Sequence, residues 1–390
     1  MRSYLLRGGD VFSPEPLGRC DVLCVGERIA AVGDLGGVCL PDLEVVDVSG
    51  LVVLPGLIDN HVHILGGGGE GGPATRTPEL SVEEAFRSGV TTVIGVLGTD
   101  DVTRSVASLV AKSRGLAAEG MSAWVMVGSY QLPVATLTGS IRSDIALVEA
   151  VIGVGEVALS DHRSSQPSFE EFVRLAAAAR VGGMLKGFGG KVNVHMGDGP
   201  RGLEMLRRAA RETEIPVDQF IPTHVNRNPK LFDEAVAYAL EGGVVDLTTS
   251  TTPVFLAEGE VKCSLGLRRL LDAGVPVERI CFSSDGQGSL PDFDPEGNLR
   301  GLTVGGVGSL WEEVRDSVLS EGVPLERAVP VATSSPARFH RLPRKGAVAE
   351  GFDGDLLVVD QDLRPVHVMS RGSMAVRDRE LIMRGTFSRR

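Results

Sequence analysis

The sequence predicts an α/β fold, a (β/α)8 barrel of the TIM type with a small β-domain formed by both termini. Three observations predict it. Eight β-rich runs recur, at Leu57–His63, Thr91–Gly98, Ser122–Tyr130, Glu156–His162, Lys191–Gly197, Phe220–Val225, Val244–Ser250 and Ile280–Gly286. Most gaps between them hold a stretch with helical apolar periodicity: Val82–Ser88, Thr103–Glu119, Phe169–Arg180, Leu203–Glu212, Lys230–Leu240 and Val261–Ala273. The two ends of the chain read as short strands and turns instead.

Taken in order, Cys20–Gly33 holds two short apolar runs broken at Gly26-Glu27, the pattern of a β-hairpin. Near the other end, Gly354–Asp360 and Pro365–Gly372 are short strands separated by turn residues. Residues 1–54 and 346–390 are therefore expected to share one small, sandwich-like β-domain, with residues 55–345 forming the barrel. The alternative for the middle is an open doubly wound sheet, which usually announces itself by a glycine-rich dinucleotide turn after the first strand. Gly66-Gly-Gly-Gly69 does follow a strand, but no GxGxxG pattern opens a helix there. We read it as a flexible loop at the mouth of a site.

Composition excludes several classes. The 390 residues are 43% apolar and 23% charged, and no apolar run approaches the roughly 18 residues needed to cross a bilayer. The opening residues lack the apolar core of a signal peptide, so the expected compartment is the cytoplasm. A net charge of −12 without any basic run argues against a nucleic-acid partner. Five scattered cysteines, Cys20, Cys24, Cys39, Cys263 and Cys281, suggest neither a disulfide framework nor a zinc ribbon.

Chemistry concentrates at the ends of the β-rich runs. His61 and His63 flank Val62 and, in a strand, point to the same side, an arrangement able to grip a metal ion. By itself the pair is equally two polar residues at a strand end. His195, His224 and Asp285 stand at the ends of three later runs, and a barrel gathers its strand C-termini on one face. Distant residues then converge. His340 and His367 are assigned to structure, and His162 to a structural or supporting role.

The segments Pro55-Gly-Leu-Ile-Asp-Asn-His-Val-His63, Gly66–Glu79, Val96–Asp100, Ser160-Asp-His-Arg163, His195–Asp198, Thr223–Asn228 and Ser283–Ser289 carry a family resemblance over nearly the whole chain. The sequence resembles the amidohydrolase superfamily and, within it, the bacterial isoaspartyl (β-aspartyl) dipeptidase family. The HxH element is common to the superfamily. The glycine loop with Glu70 and the Thr-His-Val-Asn-Arg segment are far more specific.

The resemblance implies two Zn2+ per chain, held by His61, His63 and Asp285 at one site and by His195 and His224 at the other. A carboxylate should bridge them. In the family's best-known members this is a carboxylated lysine five residues before the Asp of Ser-Asp-His-Arg, and here that position is Glu156. Glutamate offers the same ligand end on a stem shorter by an order of ~3 Å, which a bulge at Gly153-Val-Gly155 would compensate. A one-metal or degraded site is the competing outcome.

Carried over further, a hydroxide bridging the metals attacks the β-aspartyl peptide bond of an isoaspartyl dipeptide, with Asp285 as general base and then acid. Tyr130, otherwise a packed strand-end aromatic, would donate to the oxyanion. Glu70 would meet the substrate ammonium, and Arg163 and Arg227 its carboxylates, with Gly68, Thr99 and Ser289 adding polar contacts. For Arg163 the plain alternative is a salt bridge to Asp161. Rival functions are another amide hydrolase (hydantoinase, dihydroorotase or N-acyl-amino-acid deacylase) and a non-catalytic assembly protein on the same scaffold. The resemblance also implies a homo-oligomer.

Overall fold

The computed structural model describes residues 3–294 and 299–388. Its N-terminal part forms β1 (Ser3–Phe12), β2 (Pro16–Val25), β3 (Arg28–Gly33), β4 (Leu43–Asp47) and β5 (Val52–Pro55). The barrel strands follow as β6 (Leu57–Val62), β7 (Val90–Gly95), β8 (Ser122–Val127), β9 (Val151–Leu159), β10 (Lys191–Met196), β11 (Phe220–Thr223), β12 (Val245–Thr248) and β13 (Ile280–Ser283). A hairpin, β14 (Ser289–Phe293) and β15 (Leu299–Val304), comes after the eighth. The chain ends in β16 (Leu356–Val359), β17 (Pro365–Ser370), β18 (Ser373–Arg377) and β19 (Glu380–Leu381).

Strands β6 to β11 pair side by side in parallel, as do β12 and β13. The ring closes through Val225 N–H to Asp246 O at 3.4 Å on one side, and through His63 N–H to Gly286 O at 2.9 Å and Asp285 N–H to His61 O at 3.1 Å on the other. Strand β9 is buried along its whole length, as expected of a parallel strand covered on both faces. Helices α1 (Val82–Arg87), α2 (Val106–Ala118), α3 (Ile141–Leu147), α4 (Phe169–Lys186), α5 (Glu204–Glu212), α6 (Pro229–Leu240), α7 (Pro253–Ala257), α8 (Cys263–Asp272) and α9 (Ser309–Leu319) lie in the connections. Their starts are chemically marked: Ser168 caps α4 in a reciprocal capping box with Glu171, and Gly187 ends that helix in the left-handed conformation.

The two termini meet in one sheet of nine strands, ordered β19-β18-β17-β16-β5-β1-β2-β3 with β4 also on β1. Strand β16 pairs with β5 in antiparallel register, Leu357 opposite Leu54, so the C-terminal strands join the sheet beside the segment that leads into the barrel. A separate apolar cluster with Leu6, Val22, Ile29, Val53 and Leu356 forms its core. Lys345 anchors the junction: its buried ammonium bonds to Ser122 Oγ at 2.6 Å and pairs with Asp353 at 2.9 Å and with Asp355. Among the described residues, no helix is long and apolar enough to cross a membrane.

Candidate metal centre

Glu156 sits on β9 where the strand carries one residue too many. Against β10, Val192 and Val194 pair with Val154 and Val157, two steps against three, so Gly155 and Glu156 form a bulge. Gly155 has φ +139°, and a Cβ there would lie 2.4 Å from Asn193 O. Only glycine fits that kink. The bulge presents the fully buried Glu156 carboxylate to four histidines. Its Oε1 is 3.5 Å from His61 Nε2 and 3.6 Å from His63 Nε2. Its Oε2 is 3.2 Å from His195 Nδ1 and 3.5 Å from His224 Nε2.

Asp285 completes one side, with Oδ1 3.0 Å from His63 Nε2 and 3.7 Å from His61 Nε2. Both Asp285 and His224 have left-handed backbones, φ +53° and +62°, which non-glycine residues seldom adopt and functional sites often hold. His224 Nδ1 is fixed by the Thr248 hydroxyl at 2.6 Å. Below the histidines, Asp59 accepts from Ser284 N–H at 3.0 Å and from its hydroxyl, and Asp246 takes bonds from Asn60, Thr223 and Ser283 at 2.6–2.9 Å.

The donor set suits a divalent cation. Both ring nitrogens of His61, Nδ1 of His63, Oε1 of Glu156 and Oδ1 of Asp285 are buried and have no hydrogen-bond partner among the described residues. Orphaned polar atoms of this kind are costly in a protein interior unless something satisfies them. Two ligand atoms on one tetrahedral zinc lie roughly 3.3 Å apart, because each bond is about 2.0–2.1 Å. The histidine-to-carboxylate separations here run from 3.0 to 3.7 Å. Among the described residues, two overlapping trios bring their ligand atoms within 4.8 Å of one another, His61-His63-Asp285 and His61-Glu156-His224.

Electrostatics agree with a site built for cations. Burial opposes charge on Glu156, but the histidines outweigh it and hold the carboxyl well below its usual range. Asp285 is likewise held low, against burial, by His63, His224 and His61. Burial lowers His61, yet Glu156 and Asp285 raise it to about 9. Burial and then Arg227 push His224 down to about 3. Burial raises the Tyr130 phenol well above 10, so it remains a proton donor at neutral pH.

The predicted residues come together, with two differences of detail. His195 belongs to neither trio. While Nδ1 faces Glu156 and the Tyr130 hydroxyl at 2.7 Å, its Nε2 faces Asp161 Oδ2 at 3.1 Å and Arg163 Nη2 at 3.2 Å. Arg163 makes a bidentate pair with Asp161, at 3.0 and 2.8 Å, and also reaches Glu70 at 3.5 Å. Thus the salt bridge to Asp161 that was the plain alternative in the sequence is present. Arg227 lies 3.7 Å from Asp285 Oδ2, the Thr99 hydroxyl bonds to Glu70, and Gly68 packs against Ser289. His162 is exposed, His340 is buried at the far end beside Phe339 and Lys191, and His367 accepts from Asp378 N–H at 3.1 Å.

Sequence reading missed Asp161 as the partner of His195, although its place two residues before Arg163 is a usable signal. It also missed Thr248, whose only trace is its position at the end of the seventh β-rich run. The glycine loop differs from expectation: it is tied down by Gly66 N–H to His63 O at 2.7 Å, Gly67 N–H to Gln287 O at 2.9 Å, and Arg104.

The amidohydrolase family profile matches residues 52–219 and 260–376. A solved structure of beta-aspartyl dipeptidase from Fervidobacterium islandicum AW-1, in complex with a β-Asp-Leu dipeptide, is 44% identical; the alignment covers 97% of this chain and 98% of that one with a TM-score of 0.90. The dihydroorotase of Pelotomaculum thermopropionicum is 26% identical over 94% of this chain and 92% of its own length. That of Syntrophus aciditrophicus is 33% identical over a segment covering 22% of this chain and 18% of its own. The chain belongs to the amidohydrolase family and, within it, to the beta-aspartyl dipeptidases.

Proposed function

We propose that this protein is a zinc-dependent isoaspartyl dipeptidase, a binuclear enzyme whose bridging ligand is Glu156. The observation that carries the proposal is the placement of the Glu156 carboxylate, with one oxygen toward His61 and His63 and the other toward His195 and His224. These four histidines, Glu156 and Asp285 would hold two metal ions. When bound, zinc supplies Lewis acidity, acidifying water and polarising the scissile carbonyl.

The chain's own groups do the rest. Asp285, kept ionised, takes a proton from the attacking water and returns it to the departing amine nitrogen, so that water adds across the C–N bond. Tyr130, kept protonated, donates to the developing oxyanion. At the rim, Glu70 receives the substrate ammonium, while Arg163 and Arg227 receive its two carboxylates, with Gly68, Thr99 and Ser289 giving further polar contacts. An acid and two arginines around the same opening match a substrate with one cationic and two anionic ends. The 44% identity to a structure holding β-Asp-Leu supports the same choice. The proposal extends to a cytoplasmic homo-oligomer.

The test compares kcat/KM for β-Asp-Leu, α-Asp-Leu and a hydantoin. We expect β-Asp-Leu to be favoured by at least roughly 100-fold, the discrimination available when buried polar groups lose their partners. Preference for the hydantoin would instead support the cyclic-amide chemistry named for the dihydroorotase relatives.

A further inference from the structure

One buried cation holds the loop that carries Glu70. Arg104 lies between β7 and α2, on the same loop as Thr99, and its side chain is 4% exposed. Its Nε donates to Leu65 O at 3.2 Å, its Nη2 to Gly67 O at 2.7 Å, and its Nη1 to Gly68 O at 3.1 Å and to Asp100 Oδ2 at 3.1 Å. Three main-chain carbonyls of the glycine loop thus converge on one guanidinium. A planar fork of five N–H donors can satisfy that arrangement, whereas an ammonium, with three donors at one point, cannot span it.

The loop needs such a clamp. Gly66, Gly68 and Gly69 have φ of +76°, +66° and +109°, so its path depends on residues that hold any one conformation weakly. The Glu70 side chain is 41% exposed and is met by two other side chains, the Thr99 hydroxyl and Arg163 Nη1 at 3.5 Å. Asp100 extends the clamp: it also accepts from Arg76 Nη1 at 3.0 Å and Thr103 N–H at 2.7 Å, binding the far limb of the loop to the same point.

We propose that Arg104 is a positioning residue for substrate recognition, fixing the Gly66–Glu70 loop so that the Glu70 carboxylate faces the incoming ammonium. The inference rests on the reading of Glu70 as the ammonium acceptor. Its test uses Arg104→Lys, which keeps the charge and loses the fork, with Glu70→Gln and the double variant. With β-Asp-Leu, Arg104→Lys should raise KM roughly tenfold, the worth of a charge-assisted contact. It should leave kcat within about threefold and bound zinc per chain unchanged. In the Glu70→Gln background the same change should add less than about threefold, because the two residues act through one contact. Hydrogen–deuterium exchange of the Gly66–Glu70 peptide should accelerate in Arg104→Lys, a readout that needs no substrate.

Unchanged exchange in that peptide, or multiplicative KM effects in the double variant, would overturn the inference. Loss of zinc together with kcat would also overturn it, by showing that Arg104 acts through the neighbouring His63. Failure of the wild type to cleave β-Asp-Leu sinks the proposed function instead, and the exchange measurement still decides whether Arg104 holds the loop.

Discussion

In the function we propose, Glu156 would meet a problem of reach with backbone rather than side chain. A glutamate is shorter than a carboxylated lysine, and here it stands at the extra residue of β9 with its carboxylate among the four histidines. Replacing it by Gln keeps volume and removes charge, leaving the histidines without a shared anion. We expect Glu156→Gln to lose bound metal and to lower kcat/KM by at least roughly 100-fold, measured by metal analysis beside the β-Asp-Leu assay. A subtler change is Thr248→Val, which removes the hydroxyl 2.6 Å from His224 Nδ1. Groups that orient a ligand through its second nitrogen are worth roughly 10- to 100-fold in metal affinity, and competition with a chelator would show it. An unchanged affinity would mean that His224 is held by its left-handed backbone alone. The clustering of the four histidines was legible in the sequence because each stands at or near the end of a β-rich run. The Asp161–Arg163 and Arg104 contacts were not, since they depend on side-chain paths across loops that no periodicity records.

Strand β9 is the element on which the site turns. Its bulge requires Gly155, because a Cβ there would meet Asn193 O at 2.4 Å and the backbone stands at φ +139°. Gly155→Ala should cost about 1–3 kcal/mol in denaturant unfolding and should loosen metal binding, because Glu156 moves with its neighbour. Stability loss without any change in bound metal would separate the kink from the site. The glycines of this strand were the signal for the bulge. Other elements were harder to read. Strand β1 escaped notice because Arg7-Gly8-Gly9-Asp10 interrupts its apolar pattern, and a register shift between Leu6 and Gly9 absorbs the break. Helix α3 is only seven residues long, too short to establish a helical period, and is fixed instead by the Ser140 cap and its packing on α4. The six helical stretches that were read correctly lie between strands and bury one face, the pattern that a barrel imposes.

The whole molecule couples a polar, cation-ready mouth to an apolar barrel whose opposite end also holds a titratable group. His340 is buried without a hydrogen-bond partner on either ring nitrogen among the described residues, and burial, with Lys191 nearby, pushes it down to about 3. Its folded pKa is below the unfolded value of about 6.5. The unfolded chain therefore takes up the proton first as pH falls. Stability that is complete above pH 6.5 is lost progressively toward about pH 3. His340→Met should flatten that part of the stability–pH curve in metal-free protein, and an unchanged curve would assign acid lability elsewhere. The barrel and the terminal sheet were both visible in the sequence because alternation and apolar period are whole-chain signals, robust to local error. The function we propose for them rests on Glu156 as a bridging carboxylate, which would need no carbon dioxide. The most direct measurement is the rate of β-Asp-Leu hydrolysis by zinc-loaded enzyme in carbon-dioxide-free buffer, with and without added bicarbonate. With Glu156 as the bridge, rapid cleavage that bicarbonate does not change is expected; no cleavage, or cleavage only after bicarbonate is added, would contradict that bridge.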